Sequence, residues 1–201
     1  MDYKNVIVPY LDNEKIKEEA DWFRKKFWNN KVPVDIESII DIKLKINIIP
    51  ILGFSKLTST DTLITSDWKS IYVDKYQYLN QHDRLKFSLA HEVGHFVLHK
   101  RIYNTFKIKN LTDYYKFNEN IPQRQYSYLE TQANKFASYL LVPRDVLITE
   151  RKKELKKRKN PDWFKKINTK TLNSYLAIPL SKVFKVSDGV VAIALNDLDG
   201  I

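Results

Sequence analysis

The chain has four histidines, and all of them fall between His82 and His99. His91 and His95 are four residues apart, so on a helix they project from one face and both imidazoles can reach a single metal ion. Glu92 follows His91 directly. His91-Glu-Val-Gly-His95 is therefore an H-E-x-x-H pattern, in which two histidines hold zinc and the glutamate acts as general base on a metal-bound water. Chance produces it on the order of once in three hundred chains of this length and composition. The bland alternative is an amphipathic helix whose histidines share a face without a metal. His99 continues that face but lies about 12 Å from His91 along the axis. That is too far to join both histidines on one zinc with metal–nitrogen distances of about 2.1 Å. A packing role, or a hydrogen bond to a ligating histidine, is expected of His99.

A zinc held by two histidines of one helix needs a third protein ligand and an open position. Leu98 and Arg101 stand where an H-E-x-x-H-x-x-G-x-x-H pattern would require glycine and histidine, which excludes that extension. The chain has no cysteine, so the remaining strong ligands are carboxylates: Asp113, Glu119, Glu130, Asp145 and Glu150. Glu130 is the best placed, in the first turn of a helix expected from Ser127 to Leu141. Asn134 lies one turn further along that face, where it can hydrogen-bond a ligating histidine or Glu130. Ser127-Tyr-Leu-Glu130 is also an S-x-x-E capping box, which would explain the glutamate without a metal. Spacing alone leaves the two explanations even.

His91-Glu-Val-Gly-His-Phe-Val-Leu-His99 followed by Glu130-Thr-Gln-Ala-Asn-Lys-Phe-Ala-Ser-Tyr-Leu-Leu-Val-Pro143 resembles the paired signatures of the ImmA/IrrE family of zinc-dependent metallopeptidases. The second signature of that family reads approximately E-x-x-A-N-x-F-A-x-x-L-L-x-P. Arg84 to His91 is similar to its run into the metal helix, and Val142 replaces a common methionine. The resemblance covers roughly residues 32–143. It implies one Zn2+ per chain, with Mn2+ or another divalent metal possible, held by His91, His95 and Glu130, with Glu92 as catalytic base. It implies an α+β, zincin-like metallopeptidase domain, a small twisted sheet packed on two ligand-bearing helices, with a small helical C-terminal extension. The substrate class it implies is a regulatory protein such as a helix-turn-helix transcriptional repressor, cleaved in stress responses or mobile-element induction. Two alternatives differ in target or chemistry: a DNA- or repressor-binding regulator with an idle or structural zinc site, and a toxin-like partner of an antitoxin.

Several elements must position these residues. Ile16, Ala20, Phe23 and Phe27 predict a helix over 13–29, and Pro33 and Asp35 open a second through Ile40. Lys45 to Pro50 alternates as a strand, residues 53–67 suggest a strand and loops, and Trp68 to Asp74 is a strand directly before the metal helix. Asn80 is expected to cap that helix, with Asp83 reaching back, and Leu85, Leu89, Val93, Phe96 and Val97 form its apolar stripe. Gly94 implies close approach of another backbone or of substrate, or tight helix packing. Residues 100–125 suggest a long connection with some structure of its own. If residues 71–74 form a sheet edge, Ile71, Tyr72 and Val73 offer an edge strand to which a peptide substrate adds. Tyr103, Tyr126, Tyr128 and His99 are the candidate oxyanion donors.

A length of 201 residues, with 43% hydrophobic and 13% aromatic side chains, fits one globular domain with an appendage. We divide it at 150/151, into a metallopeptidase domain (1–150) and a basic linker with a helical extension (151–201). Without a signal-like or membrane-spanning stretch, a cytoplasmic protein is expected. The net charge of +10 favours acidic partners. Arg151 to Lys159 carries seven basic residues in nine positions, expected to be a solvated helix or linker rather than a nucleic-acid contact. Residues 180–198 predict two short helices joined near Val186-Ser187, as in a helix-turn-helix. The second offers only Asn196 to read base edges, so packing or substrate docking is expected ahead of DNA binding. Oligomeric state is not legible.

Overall fold

The computed structural model describes residues 3–157 and 167–200. Helix α1 (Asn13–Trp28) begins at Asp12, whose carboxylate accepts from the Lys15 amide at 2.8 Å, and ends at Asn29 in the left-handed region. It buries Ile16, Ala20 and Phe23, and Phe23 meets Phe136 edge-on at 6.0 Å. The short α2 (Ile36–Ser38), capped by Asp35, continues into a π-helical turn, Ile39–Leu44. The helical segment therefore runs four residues past Ile40.

The sheet has three strands, β1 (Asn47–Ile51), β2 (Thr62–Ile64) and β3 (Ser70–Asp74), in the order β1-β3-β2. β1 runs parallel to β3 and β2 antiparallel, so Tyr72 sits opposite both Ile49 and Leu63. The edge-strand expectation for Ile71, Tyr72 and Val73 is thereby corrected. They occupy the central strand, whose backbone groups are committed on both sides, and the strand that borders the metal helix is β2. Between β1 and β2 lies a short helix, α3 (Phe54–Thr58). Trp68 is not in a strand but in the β2–β3 turn at φ 59°, its amide bonded to the Thr65 carbonyl at 2.9 Å.

A further helix, α4 (Lys75–Asn80), separates β3 from the metal helix. Asp74 starts it, accepting from the Tyr76 and Gln77 amides, and also takes Ser55 Oγ at 3.0 Å. Helix α5 (His82–Leu98) follows, with Gln81 as its first cap and no side-chain capping bond. Asn80 does not cap it as expected, because Asn80 closes the preceding helix and its amide bonds back to the Tyr76 carbonyl at 3.0 Å. The 100–125 connection is helical twice over, as α6 (Lys100–Phe106) and α7 (Leu111–Asn120).

Helix α8 (Gln123–Leu141) follows its cap Pro122 and starts four residues before Ser127. It lies between α1 and α5, burying Leu129, Ala133, Phe136, Ala137 and Leu140. α9 (Arg144–Lys156), α10 (Thr169–Phe184) and α11 (Asp188–Leu198) complete the described chain, the last capped by Ser187. The 150/151 division drawn on the sequence falls inside α9. Arg151, the first residue of the basic run, pairs with Asp199 at 2.8 Å and reaches Asn173, while Lys153 and Lys157 pair with Glu150 and Glu154. Arg158 and Lys159 lie outside the described residues. Asn196 accepts from Asn173 at 2.9 Å, a contact within the α10–α11 packing. No helix among the described residues is long and apolar enough to cross a membrane.

Candidate metal centre

The metal face of α5 meets α8 at an unusually close approach. A Cβ built at Gly94 would lie 3.1 Å from both Cα and O of Ala133 and 3.3 Å from Phe136 Cβ. Of the alternatives open for this glycine, helix packing is therefore the one realised. The contact lets the two backbones come together one turn from Glu130. His91 Nε2 and His95 Nε2 then stand 3.0 Å apart, and Glu130 places one oxygen 3.3 Å from the first and the other 3.6 Å from the second. Among the described residues, these three form the one group of three or more His, Cys, Asp or Glu able to hold a metal ion, with all ligand atoms within 4.8 Å of one another. Asp113, Glu119, Asp145 and Glu150 are not in it.

Glu130 is the eighth residue of α8, two turns inside it. Ser127 is already helical and cannot cap, so the capping-box explanation fails and Glu130 is left facing the two imidazoles. Burial works against its charge, yet hydrogen bonds to His91 and His95 outweigh that and hold its carboxyl far below the usual carboxylate range. The reverse holds at His91, where burial is the largest single influence but Glu130 and Glu92 together raise its pKa.

Hydrogen bonds behind the ligands orient them. His91 Nδ1 lies 2.9 Å from Asn134 Oδ1, so Nδ1 carries the proton and Nε2 presents its lone pair to the cluster. His95 Nδ1 lies 2.9 Å from His99 Nδ1, and His99 Nε2 lies 2.9 Å from Gln132 Oε1. His99 is buried, and that burial, with His95 beside it, pushes its pKa down to about 3. It is neutral and serves the ligand His95, so it is no oxyanion donor. Two imidazole nitrogens and a carboxylate converging this closely form a set of N and O ligands suited to a cation such as zinc.

Glu92 is buried and its carboxylate is bonded to β2, with Oε1 accepting from Thr62 Oγ1 and Oε2 from the Ile64 amide, both at 2.8 Å. These bonds hold the carboxylate to the sheet and leave further lone pairs to accept a proton. Thr62 and Ile64 were invisible in the sequence, since a Ser/Thr-rich stretch carries no sign of which strand will border α5.

Around the site stand three phenols. Tyr126 lies one turn before Glu130 on α8, and its hydroxyl is 3.2 Å from that of Tyr114. Burial, followed by the charge of Glu130, drives the Tyr126 pKa upward, and both burial and the carboxylates do the same at Tyr103 and Tyr114. Tyr128 instead accepts from Arg124 Nε at 2.7 Å. Beyond Asn134 a cavity of about 460 Å³ opens between α5, α8 and α11, with Phe87, Val190 and Ile193 in its wall.

The family model described as Peptidase_M78, IrrE N-terminal-like domain, matches residues 56–196. The chain belongs to this family. The match runs from α3 through α11, so it takes in the sheet edge at β2, both ligand-bearing helices and nearly all of the C-terminal pair. No curated protein matches the chain at significance. Membership assigns this ImmA/IrrE protein a metallopeptidase-like role and an α+β zincin-like domain with a helical C-terminal part, and the family is typically metal-dependent.

Proposed function

We propose that the chain is a zinc-dependent endopeptidase that cuts a specific regulatory protein, such as a helix-turn-helix transcriptional repressor. The observation that carries the proposal is the convergence of His91 Nε2, His95 Nε2 and the Glu130 carboxylate within 4.8 Å, with Glu92 anchored beside them. A bound zinc would supply a Lewis acid and a water whose pKa is brought near neutrality. His91, His95 and Glu130 hold it, and Asn134 and His99 keep each imidazole in the tautomer that presents Nε2. Glu92 takes the proton of the attacking water and passes it to the leaving amine, its carboxylate steadied by Thr62 and Ile64. Tyr126, one turn before Glu130 on α8, is the phenol we assign to donate to the developing oxyanion. The idle-site and DNA-binding alternatives receive less support. A structural zinc site has no need of an anchored carboxylate beside it, and Asn196 is already bonded within the fold.

An extended substrate would lie across the metal face beside β2, the outer strand of the sheet next to α5, with an apolar side chain entering the cavity at Phe87, Val190 and Ile193. The test begins with metal analysis of the wild-type chain, Glu130→Ala and Glu92→Gln, followed by incubation with helix-turn-helix repressors encoded beside it. About one zinc per wild-type chain, lost in Glu130→Ala and kept in Glu92→Gln, together with repressor cleavage by the wild type alone, is the expected result. Zinc uptake by Glu130→Ala equal to wild type would overturn the ligand set. Cleavage by Glu92→Gln at the wild-type rate would overturn the mechanism.

A further inference from the structure

The hydrogen bonds behind His95 do not end at His99. Gln132 accepts from His99 with Oε1 and donates with Nε2 to the Pro9 carbonyl at 2.9 Å, 123 residues away in sequence. The amide next to it, Val8 N, is held by Gln125 Oε1 at 2.7 Å, from the same helix α8. Val6 and Val8 sink into the core on either side of the exposed Ile7. The N-terminal segment is thus laid along α8 by two glutamines of that helix.

The polarity of this chain follows from one requirement. If His95 Nε2 faces a metal, its Nδ1 must carry the proton and donate to His99 Nδ1. His99 Nε2 then carries hydrogen and donates to Gln132 Oε1, which leaves the Gln132 amide nitrogen to donate to Pro9. Every member has one donor and one acceptor in the right order. The chain runs in one direction only, from the ligand toward the N-terminal segment. A metal-free His95 can take either tautomer. The reversed one would leave His99 with a proton on Nδ1, and a lone pair on Nε2 facing Gln132. Gln132 would then have to turn its amide group, and its oxygen would face the Pro9 carbonyl.

We propose that docking of residues 6–10 and metal loading are thermodynamically coupled through His95, His99, Gln132 and Pro9, so that the N-terminal segment is a working part of the metal site. The coupling rests on the ligand set proposed above and is reciprocal: zinc tightens the segment, and loosening the segment weakens zinc. Gln132 and His99 are positioning residues in this scheme, since neither touches the metal.

Two substitutions at one position separate the scheme from simple packing. Gln132→Leu removes both bonds. Gln132→Glu can still accept from His99, keeping His95 oriented, but it has no hydrogen for the Pro9 carbonyl. The experiment measures zinc affinity by chelator competition, and amide hydrogen exchange over residues 6–10 with and without zinc, in the full-length chain. In the wild type, zinc slows exchange in that segment. Gln132→Leu is expected to bind zinc about tenfold more weakly and to lose the zinc effect on exchange. Gln132→Glu is expected to bind zinc within about threefold of wild type or more tightly, while residues 6–10 exchange faster and no longer respond to zinc. Exchange within α1 reports on global folding, and if Gln132→Leu does not fold, the split behaviour of Gln132→Glu decides. Unchanged exchange in the wild type on adding zinc, or wild-type affinity in Gln132→Leu, overturns the coupling and leaves the peptidase proposal intact. A wild-type chain that takes up no zinc overturns both.

Discussion

Gly94 is the position at which packing and chemistry meet, and Gly94→Ala puts a magnitude on that. In a helix interior the change from glycine to alanine gains up to about 1 kcal/mol of intrinsic propensity. Here the new methyl would lie 3.1 Å from Cα and O of Ala133, which are backbone atoms, and 3.3 Å from Phe136 Cβ. Neither backbone atom can swing aside as a side-chain tip would, so α8 must give by a few tenths of an ångström. Overpacking of this kind costs about 1–3 kcal/mol. The net effect is a loss of roughly 1 kcal/mol, and for a chain of this size the Tm of the metal-free protein falls by about 2–4 °C. Ala133 is in the same helical turn as Glu130, and metal–ligand distances tolerate only about 0.2 Å. Zinc affinity should fall on the order of five- to tenfold, equivalent to about 1 kcal/mol. Thermal unfolding of the metal-free form and chelator competition read the two effects. A rise in Tm of about 2–4 °C with zinc affinity unchanged would mean that propensity alone acts and that the α5–α8 contact has been misjudged.

Thr62→Val keeps the shape of the side chain and removes the hydrogen bond to Glu92 Oε1. Zinc content should stay at the wild-type value while kcat for a cleaved substrate drops about tenfold, and loss of metal would show the wrong role. Metal-free protein should lose stability in acid through His99, whose folded pKa of about 3 lies below the unfolded value of about 6.5. Its contribution is complete above pH 6.5, declines as pH falls toward 3, and amounts to at most about 5 kcal/mol. The raised pKa of His91 acts with the opposite sign, its contribution being present at low pH and lost as pH rises through the folded value. Stability measured against pH in wild type and His99→Gln therefore isolates the His99 share, and identical slopes between pH 6.5 and 3 would refute it. Ile193→Glu places a charge in the wall of the cavity beyond Asn134. It should raise KM for an apolar-flanked substrate at least tenfold with zinc binding unaffected, and an unchanged KM would remove the cavity from substrate recognition.

The reach of the sequence differs from residue to residue, for a physical reason. His91, Glu92 and His95 are related by the helical repeat, a local property that spacing reports directly. The apolar stripes of α1, α5 and α8 were legible in the same way, as was the break at Val186-Ser187, where Ser187 caps α11. Glu130 stood between a capping box and a ligand until the true start of α8 at Gln123 put Ser127 inside the helix. Helix starts depend on what the preceding loop packs against, and the loop before α8 gave no sign of its ending.

Other assignments required the tertiary structure. Residues 71–73 make a convincing strand, but whether a strand is central or at an edge depends on partners far away in sequence, here β1 on one side and β2 on the other. The same is true of Thr62 and Ile64 on Glu92, thirty and twenty-eight positions away, and of Gln132 on Pro9. The sequence alone determined the chemistry that His91, Glu92 and His95 can do, because those three are related by short-range spacing, and it offered Glu130 as the third ligand only through a resemblance. The folded chain decided how that chemistry is held and approached, because strand order, buried hydrogen-bond chains and the gap left by a missing Cβ arise only where distant segments meet.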